Sequence, residues 1–192
     1  VTVTHVPLLT ADEAAAVLDE CHALCALPEH DRRPRDKPHT GTHHLVDIAE
    51  RSELVRELVQ RRALQQAVTE IIGPSFAPMQ LSYRSPQPGF GAQKLHTDGL
   101  PKLDSGPDTL ATALVALVDF DIDNGATRIV PGSHRRPDLQ RLGGSLDRHR
   151  DEIVLTGPVG TAFVFSGHAL HSGTKNRSSK ERPALQLQWR AT

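Results

Sequence analysis

The sequence predicts a mostly β protein in which N-terminal helices pack on a sandwich or barrel of strands. Three observations carry that reading. Apolar stripes of helical period run up to Gly73. The character changes after Gly73, and short apolar runs separated by Gly, Pro and Asn continue to the C-terminus. Helices first and strands after give a helical layer on a β core, not alternating βα units.

The first helix is expected from Thr10 to about Leu27. Thr10 and Glu13 have capping-box spacing. Val17, Leu18, Cys21, Leu24 and Cys25 form its apolar face. The stretch LPEHDRRPRDKPHTGTHHL, ending at Leu45, is rich in Pro and charge and reads as loop. Ser52 caps a second helical region. Its stripes are Leu54, Val55, Leu58 and Val59, then Leu64, Ala67, Val68, Ile71 and Ile72, with Gly73 as the stop. Strands are expected in APMQLSYRS, AQKLHTDG, TLATALVALVDFD, TRIVPGSH, EIVL, TAFVFSGHALHSG and ALQLQW. One domain accounts for the whole chain, with a helical part over about 1–73 and a β core over about 74–192.

Composition excludes several classes. A chain of 192 residues with 38% hydrophobic content can build a core. Its net charge of -1 and lack of a basic stripe argue against a nucleic-acid partner. No apolar run approaches the ~20 residues that span a bilayer, and no secretory leader pattern is seen. Cys21 and Cys25, four apart on a helix, read as small apolar groups and fit a disulfide badly. The expectation is a cytoplasmic protein whose partner is a small molecule.

Three distant features make chemical sense together. In KLHTDGL, His96 and Asp98 are two apart, so on a strand they project from one face. His171 lies in HALHSGTKN, and Arg182 follows it by eleven residues in KERPALQLQW. Two imidazoles and one carboxylate can occupy one face of an octahedral ion and leave the other positions open. An oxygenase that consumes 2-oxoglutarate needs those positions, and a cation for the cosubstrate's far carboxylate, which the planar fork of Arg suits. The turn NRSSKE reads as a hairpin that returns Arg182 towards His171. Alternation then sets Arg182, Ala184, Gln186 and Gln188 on one face, and Leu185, Leu187 and Trp189 on the other.

With HxD, then DNGATRIVPGSHRR (Asp123 to Arg136), then His171, Asn176 and Arg182, the chain resembles the phytanoyl-CoA dioxygenase-like family of Fe(II)/2-oxoglutarate oxygenases. The resemblance covers roughly Leu81 to Trp189. It implies a double-stranded β-helix, a jelly roll with the metal in its mouth. It implies iron(II) on His96, Asp98 and His171, and Arg182 for the C5 carboxylate of 2-oxoglutarate. It places Gln93 against the cosubstrate, and Leu114 where many members have a Trp. Where the family has HGSG this chain has HSGT, so a Ser contact to the cosubstrate is missing, and Thr174 and Ser172 are the candidates to replace it. The implied reaction uses dioxygen and releases succinate and carbon dioxide while a substrate C–H is hydroxylated. Asp98 fills the position where halogenating relatives place chloride.

Other residues are weighed beside these. His168 is three before His171, which on a strand turns it to the other face. His134 reads as a turn residue and Asn124-Gly125 as a turn signal. His43, His44, Tyr83 and Gln186 are candidates to meet substrate, and Arg84 sits beside Tyr83. Polar, charged loops and only 4% aromatic residues point to a small polar metabolite or natural-product intermediate. Two rival readings remain open: a jelly-roll isomerase or hydrolase using another divalent metal, and a non-catalytic ligand-binding domain.

Overall fold

The computed structural model describes residues 3–28, 41–100, 106–141 and 143–192. Strand β1 (Val3–Pro7) leads into helix α1 (Ala11–Cys25). Thr10 opens α1 with a full capping box: its hydroxyl accepts from the Glu13 amide, and the Glu13 carboxylate accepts from the Thr10 amide. Strand β2 (Thr42–Leu45) is followed by α2 (Ile48–Arg51), α3 (Glu53–Leu58) and α4 (Arg62–Ile72). Ser52 caps α3 by accepting from Val55 N, and Gly73 ends α4 at φ 83°. The remaining strands are β3 (Phe76–Pro86), β4 (Leu110–Ala116), β5 (Thr127–Ile129), β6 (Ile153–Val154), β7 (Thr161–Ser166), β8 (His171–Gly173) and β9 (Ala184–Ala191). A short helix, α5 (Pro137–Gln140), lies between β5 and β6.

The strands form two antiparallel sheets, in the orders β1-β7-β4-β9-β3-β2 and β6-β5-β8. This is a jelly roll. Alternation along the strands of the large sheet divides the apolar residues between its two faces. Ala113, Val115, Ala162, Val164, Leu185, Leu187 and Trp189 join the helices in the main core, together with Val17, Cys21, Leu58, Leu64 and Val68. The intervening residues Leu114, Ala116, Phe163, Phe165 and Ala184 pack with Ile129 and Leu155 of the small-sheet side. The candidate residues of β9 and β3 that share this second face therefore look between the sheets. No helix among the described residues is long and apolar enough to cross a membrane.

The structure departs from expectation in four places. The N-terminal part is not all helix, because β1 pairs with β7 and β2 with β3 at opposite edges of the large sheet. Thr42 to Leu45, expected as loop, is β2, while residues 29–40 of that stretch lie outside the described residues. AQKLHTDG forms no strand; it touches the small sheet through one isolated bridge between His96 and His171. The turn at NRSSKE is also not a hairpin within one sheet. It carries the chain from β8 in the small sheet to β9 in the large one.

Arg128 clamps the outer face of the small sheet. Its guanidinium donates to Ser172 Oγ at 2.8 Å, to the carbonyls of Leu146 and Asp147, and to Glu152 Oε2 at 3.0 Å. Both side chains of the ion pair are almost fully buried. Removing one partner of a buried pair leaves an uncompensated charge. Arg128→Ala should therefore lose ~3–5 kcal/mol of stability, read as a lower urea midpoint by fluorescence of Trp189. An unchanged midpoint would show that the clamp does not hold the sheet.

Candidate active site

His96 and His171 exchange two backbone hydrogen bonds, His96 N to His171 O at 3.0 Å and His171 N to His96 O at 2.9 Å. Such a pair puts both side chains on the same side. Their rings lie 4.6 Å apart between centroids. Asp98 is fixed from its own backbone, which donates to Gly167 O at 2.9 Å. The three side chains offer ligand atoms that all lie within 4.8 Å of one another, and among the described residues this is the one such group of His, Cys, Asp or Glu.

The surroundings suit a metal. His96 Nδ1 donates to Lys94 O at 2.8 Å, and His171 Nδ1 donates to Ala169 O at 2.9 Å. A carbonyl can only accept, so each Nδ1 carries its proton and each Nε2 is left for an ion. Thr112 Oγ1 donates to Asp98 Oδ2 at 2.5 Å, and Gln186 Nε2 approaches Asp98 Oδ1 at 3.5 Å. Burial works against ionisation of Asp98, but the charge of His171 and bonds from His171 and Thr112 outweigh it and hold the pKa at about 2. Burial also opposes a charge on His171, and Asp98, 3.5 Å from its Nε2, reverses that and raises its pKa. His96 is shifted down by burial and by the neighbouring His171.

A narrow cleft opens from this cluster. Arg84, Gln93, Leu114, Thr127, Arg182 and Gln186 line it beside His96 and His171. Arg182 is 6% exposed, and its Nε has no hydrogen-bond partner. Its guanidinium carbon stands 4.7 Å from the Phe120 ring centre. Burial, then the charge of Arg84, lowers its pKa to about 10. A buried cation without a carboxylate is costly, so Arg182 is built to receive an anion. That is the requirement of a dicarboxylate such as 2-oxoglutarate, and the cleft places it on the same route as the cluster.

The framework explains why Arg182 points inward. Glu181, its neighbour, turns to the helix side, where it accepts from Ser85 Oγ at 2.5 Å, meets His22 at 2.6 Å, and accepts from Gln87. Arg182 N donates to Pro86 O at 3.0 Å. Asn176 organises the turn before it by donating to Pro86 O and Lys180 O and accepting from Ser178. Gly125 approaches that asparagine so closely that a Cβ would lie 3.0 Å from Asn176 N, and its φ is +86°. In the PGSH turn, Ser133 Oγ accepts from Leu170 N at 2.7 Å and so holds the residue before His171.

Gln93, Leu114 and Gln186 reach the cleft. Tyr83 does not: it is fully buried in the helix-side core, in register with Leu185. His43 shares that helix-side face through its register with Ser85 and is exposed, so it too points away from the cluster. His44 is in register with Arg84 on the inter-sheet face, but does not line the cleft. His168 stays out of the cluster and bonds Thr109 Oγ1 at 3.1 Å. Neither candidate replacement for the missing Ser serves, because Ser172 Oγ accepts from Arg128 and Thr174 Oγ1 donates to Ala126 O. Sequence reasoning missed Thr112 and Thr127. Both are threonines on strands whose facing follows only from the register, and no motif marks Thr112.

The hydroxyl of Thr112 orients the carboxylate, and such supporting contacts are worth 10–100-fold in metal affinity. Thr112→Val should weaken Ni(II) binding by about 10-fold or more, measured by isothermal titration calorimetry with the melting temperature as a folding control. Because His171 holds a proton more tightly beside Asp98, a metal must displace it. Affinity should therefore fall as the pH is lowered through the His171 pKa, with proton release detectable from the dependence of the heat on buffer. Binding that is flat in pH would exclude His171 from the ligands.

Comparison with known proteins agrees with this geometry. The chain is 32% identical over 154 residues to "Dioxygenase trt7" of Aspergillus terreus, covering 75% of this chain and 52% of that protein. It is 29% identical over 157 residues to "Dioxygenase cdmA" of Talaromyces verruculosus, covering 77% and 52%. The chain thus spans about half the length of the curated relatives it matches. Among solved structures, the non-heme alpha ketoglutarate dependent epimerase SnoN from nogalamycin biosynthesis superposes with a TM-score of 0.78 at 21% identity, covering 99% of this chain and 78% of that one. HygX from Streptomyces hygroscopicus, with nickel and 2-oxoglutarate bound, superposes at 0.77 with 15% identity, covering 100% and 83%. At such identities the likeness establishes the fold. The model of the family described as Phytanoyl-CoA dioxygenase (PhyH) matches residues 3–184, and the chain belongs to that family.

Proposed function

We propose that this chain is an Fe(II)- and 2-oxoglutarate-dependent oxygenase that hydroxylates an unactivated C–H bond of a small polar metabolite or natural-product intermediate. The observation that carries the proposal is the pairing of one three-ligand cluster with one buried, carboxylate-free arginine in the same cleft. An isomerase or hydrolase on the same ligands needs no such cation. Family membership supports the reading. So do HygX, crystallised with nickel, 2-oxoglutarate and hygromycin B, and SnoN, crystallised with Fe3+, alpha ketoglutarate and nogalamycin RO.

His96, Asp98 and His171 would hold iron(II) through two Nε2 atoms and one carboxylate oxygen. Iron, 2-oxoglutarate and dioxygen together supply an oxidant strong enough for a C–H bond, with succinate and carbon dioxide as coproducts. The chain's own residues do the rest. Arg182 would receive the C5 carboxylate, and the Phe120 ring beneath it limits where the guanidinium can swing. Gln93 would turn its amide to the cosubstrate while its backbone stays bonded to Gly173. Leu114 would give the cosubstrate an apolar wall that excludes water. Thr112 and Gln186 would keep Asp98 aimed at the ion. Asp98 occupies the third protein position, which favours hydroxylation over halogenation. SnoN carries epimerisation on the same fold, so product mass decides between the two outcomes.

Two measurements test this. Anaerobic addition of Fe(II) and 2-oxoglutarate should produce the visible charge-transfer band of a chelated keto acid. In Arg182→Ala the half-saturating 2-oxoglutarate concentration should rise about 30-fold or more, since truncating one side of a buried charged contact costs ~2–5 kcal/mol, while iron affinity stays near wild type. Asp98→Ala should abolish oxygen-dependent succinate formation. Metal-loaded, folded protein without the band would instead favour the other-metal or binding-domain reading.

A further inference from the structure

Arg84 is a second cation in the cleft. It lies on β3, two residues before Pro86, and is in register with Ala184 on the inter-sheet face. It is half-buried, and burial depresses its pKa. It makes no hydrogen bond or ion pair with any described residue. Its nearest opposite charge is felt from Asp98, whose oxygens are taken by Thr112, His171 and Gln186. Among the described residues no acidic side chain lines the cleft, and Glu181, beside Arg182, faces the helices. Keeping two guanidinium groups within electrostatic reach of each other costs energy, and after burial the charge of Arg84 is what lowers the pKa of Arg182.

Charge counting gives Arg84 a task. It rests on the proposed function above. With the two histidines neutral as ligands, iron(II), Arg84 and Arg182 outweigh Asp98 and the 2-oxoglutarate dianion by one positive charge. One further negative charge balances the loaded cleft. The far carboxylate of the cosubstrate is matched by Arg182, which is the deeper and fully buried of the two. Arg84 is less buried than Arg182 and lines the same cleft. We propose that Arg84 is the specificity residue of this oxygenase and that it pairs with a single anionic group, a carboxylate or a phosphate, on the molecule to be oxidised. The planar fork accepts either acid bidentately. The substrate is then a small acid held by its charged end, with the C–H bond presented to the metal from that anchor. A neutral sugar or a cationic amine leaves Arg84 buried and unmatched, and is selected against on that ground.

The test uses protein loaded with Ni(II) and 2-oxoglutarate, which binds without turnover. Hexanoate, benzoate and N-acetylalanine are each compared with their primary amides, and hexyl phosphate is added as the second anion class. Binding is read by isothermal titration calorimetry and by melting temperature, in wild type, Arg84→Gln and Arg84→Lys. The expected result is at least one acid that binds wild type about tenfold or more tighter than its amide does. That preference disappears in Arg84→Gln and returns in part in Arg84→Lys, while 2-oxoglutarate affinity stays within about twofold of wild type. Preference for hexyl phosphate over hexanoate assigns the anion as phosphate, and the reverse assigns carboxylate. Loss of 2-oxoglutarate affinity in Arg84→Gln overturns the proposal and gives Arg84 to the cosubstrate. Equal binding of acids and amides also overturns it. Failure of wild type to bind 2-oxoglutarate is a separate outcome, which overturns the oxygenase reading and the charge count with it.

Discussion

Two backbone hydrogen bonds between His96 and His171 govern this site. They join segments 75 residues apart, at a place where neither needs a long ladder. A hydrogen-bonded antiparallel pair fixes the separation of two Cα atoms and the side on which their side chains emerge. The imidazoles are thereby set before any metal arrives. Each ring is then turned by a carbonyl two residues upstream, Lys94 for one and Ala169 for the other. The same local device is used twice, so the two Nε2 atoms converge without help from a third element. Asp98 enters on the loop that the bridge anchors.

The residues that make the sequence motifs recognisable are mostly servants of that bridge. Ser133 in the PGSH turn accepts from Leu170 and thereby fixes the backbone just before His171. Gly125 allows the chain to lie against Asn176, and Asn176 in turn ties down the segment leading to Arg182. A side chain at Gly125 would meet backbone atoms, which cannot move aside as a flexible side chain can. These positions hold no ligand. They support the segments that carry His171 and Arg182.

The fold class and the central residues were legible because both rest on strong local patterns. Period-2 alternation in ALQLQW predicts the two faces of β9 correctly, with Leu185, Leu187 and Trp189 in the helix-side core and Gln186 in the cleft. The capping residues Thr10 and Ser52 and the stop at Gly73 also follow from local chemistry. What sequence could not show depends on pairing between distant segments. THVP and THHL are too short and too polar to read as strands, and become β1 and β2 only because β7 and β3 offer them free edges. Nothing local in the sequence decides which face of β3 Tyr83 takes. Its facing is decided by register with Leu45 and Leu185, and the same register sends Arg84 the other way. Thr112 was invisible because its task is defined entirely by Asp98, on a different part of the chain.

Gly173, where the resemblance would have a Ser, leaves little room for a side chain. At Gly173 a Cβ would lie 2.6 Å from Gly91 O and 3.1 Å from Gln93 Oε1. The first contact is with backbone, so relief would require moving the segment that carries Gln93 towards the cluster. A serine cannot occupy this position while Gln93 keeps its place. Gln93 N donates to Gly173 O at 3.0 Å, and Gly173 N donates to Gln93 Oε1 at 3.2 Å. The glutamine is therefore held by the strand that lost the hydroxyl. Gln93 thus stands at the cleft on the chain leading into His96, tied to β8 through Gly173. With Leu114 in place of a large aromatic ring, the cleft has one apolar wall, the two amides of Gln93 and Gln186, the Thr127 hydroxyl and two cations. Among the described lining residues outside the histidines, the charged groups are both cations. The proposed recognition therefore matches charge to Arg84 and Arg182, and leaves Gln93, Gln186 and Thr127 to orient the neutral groups of a bound molecule.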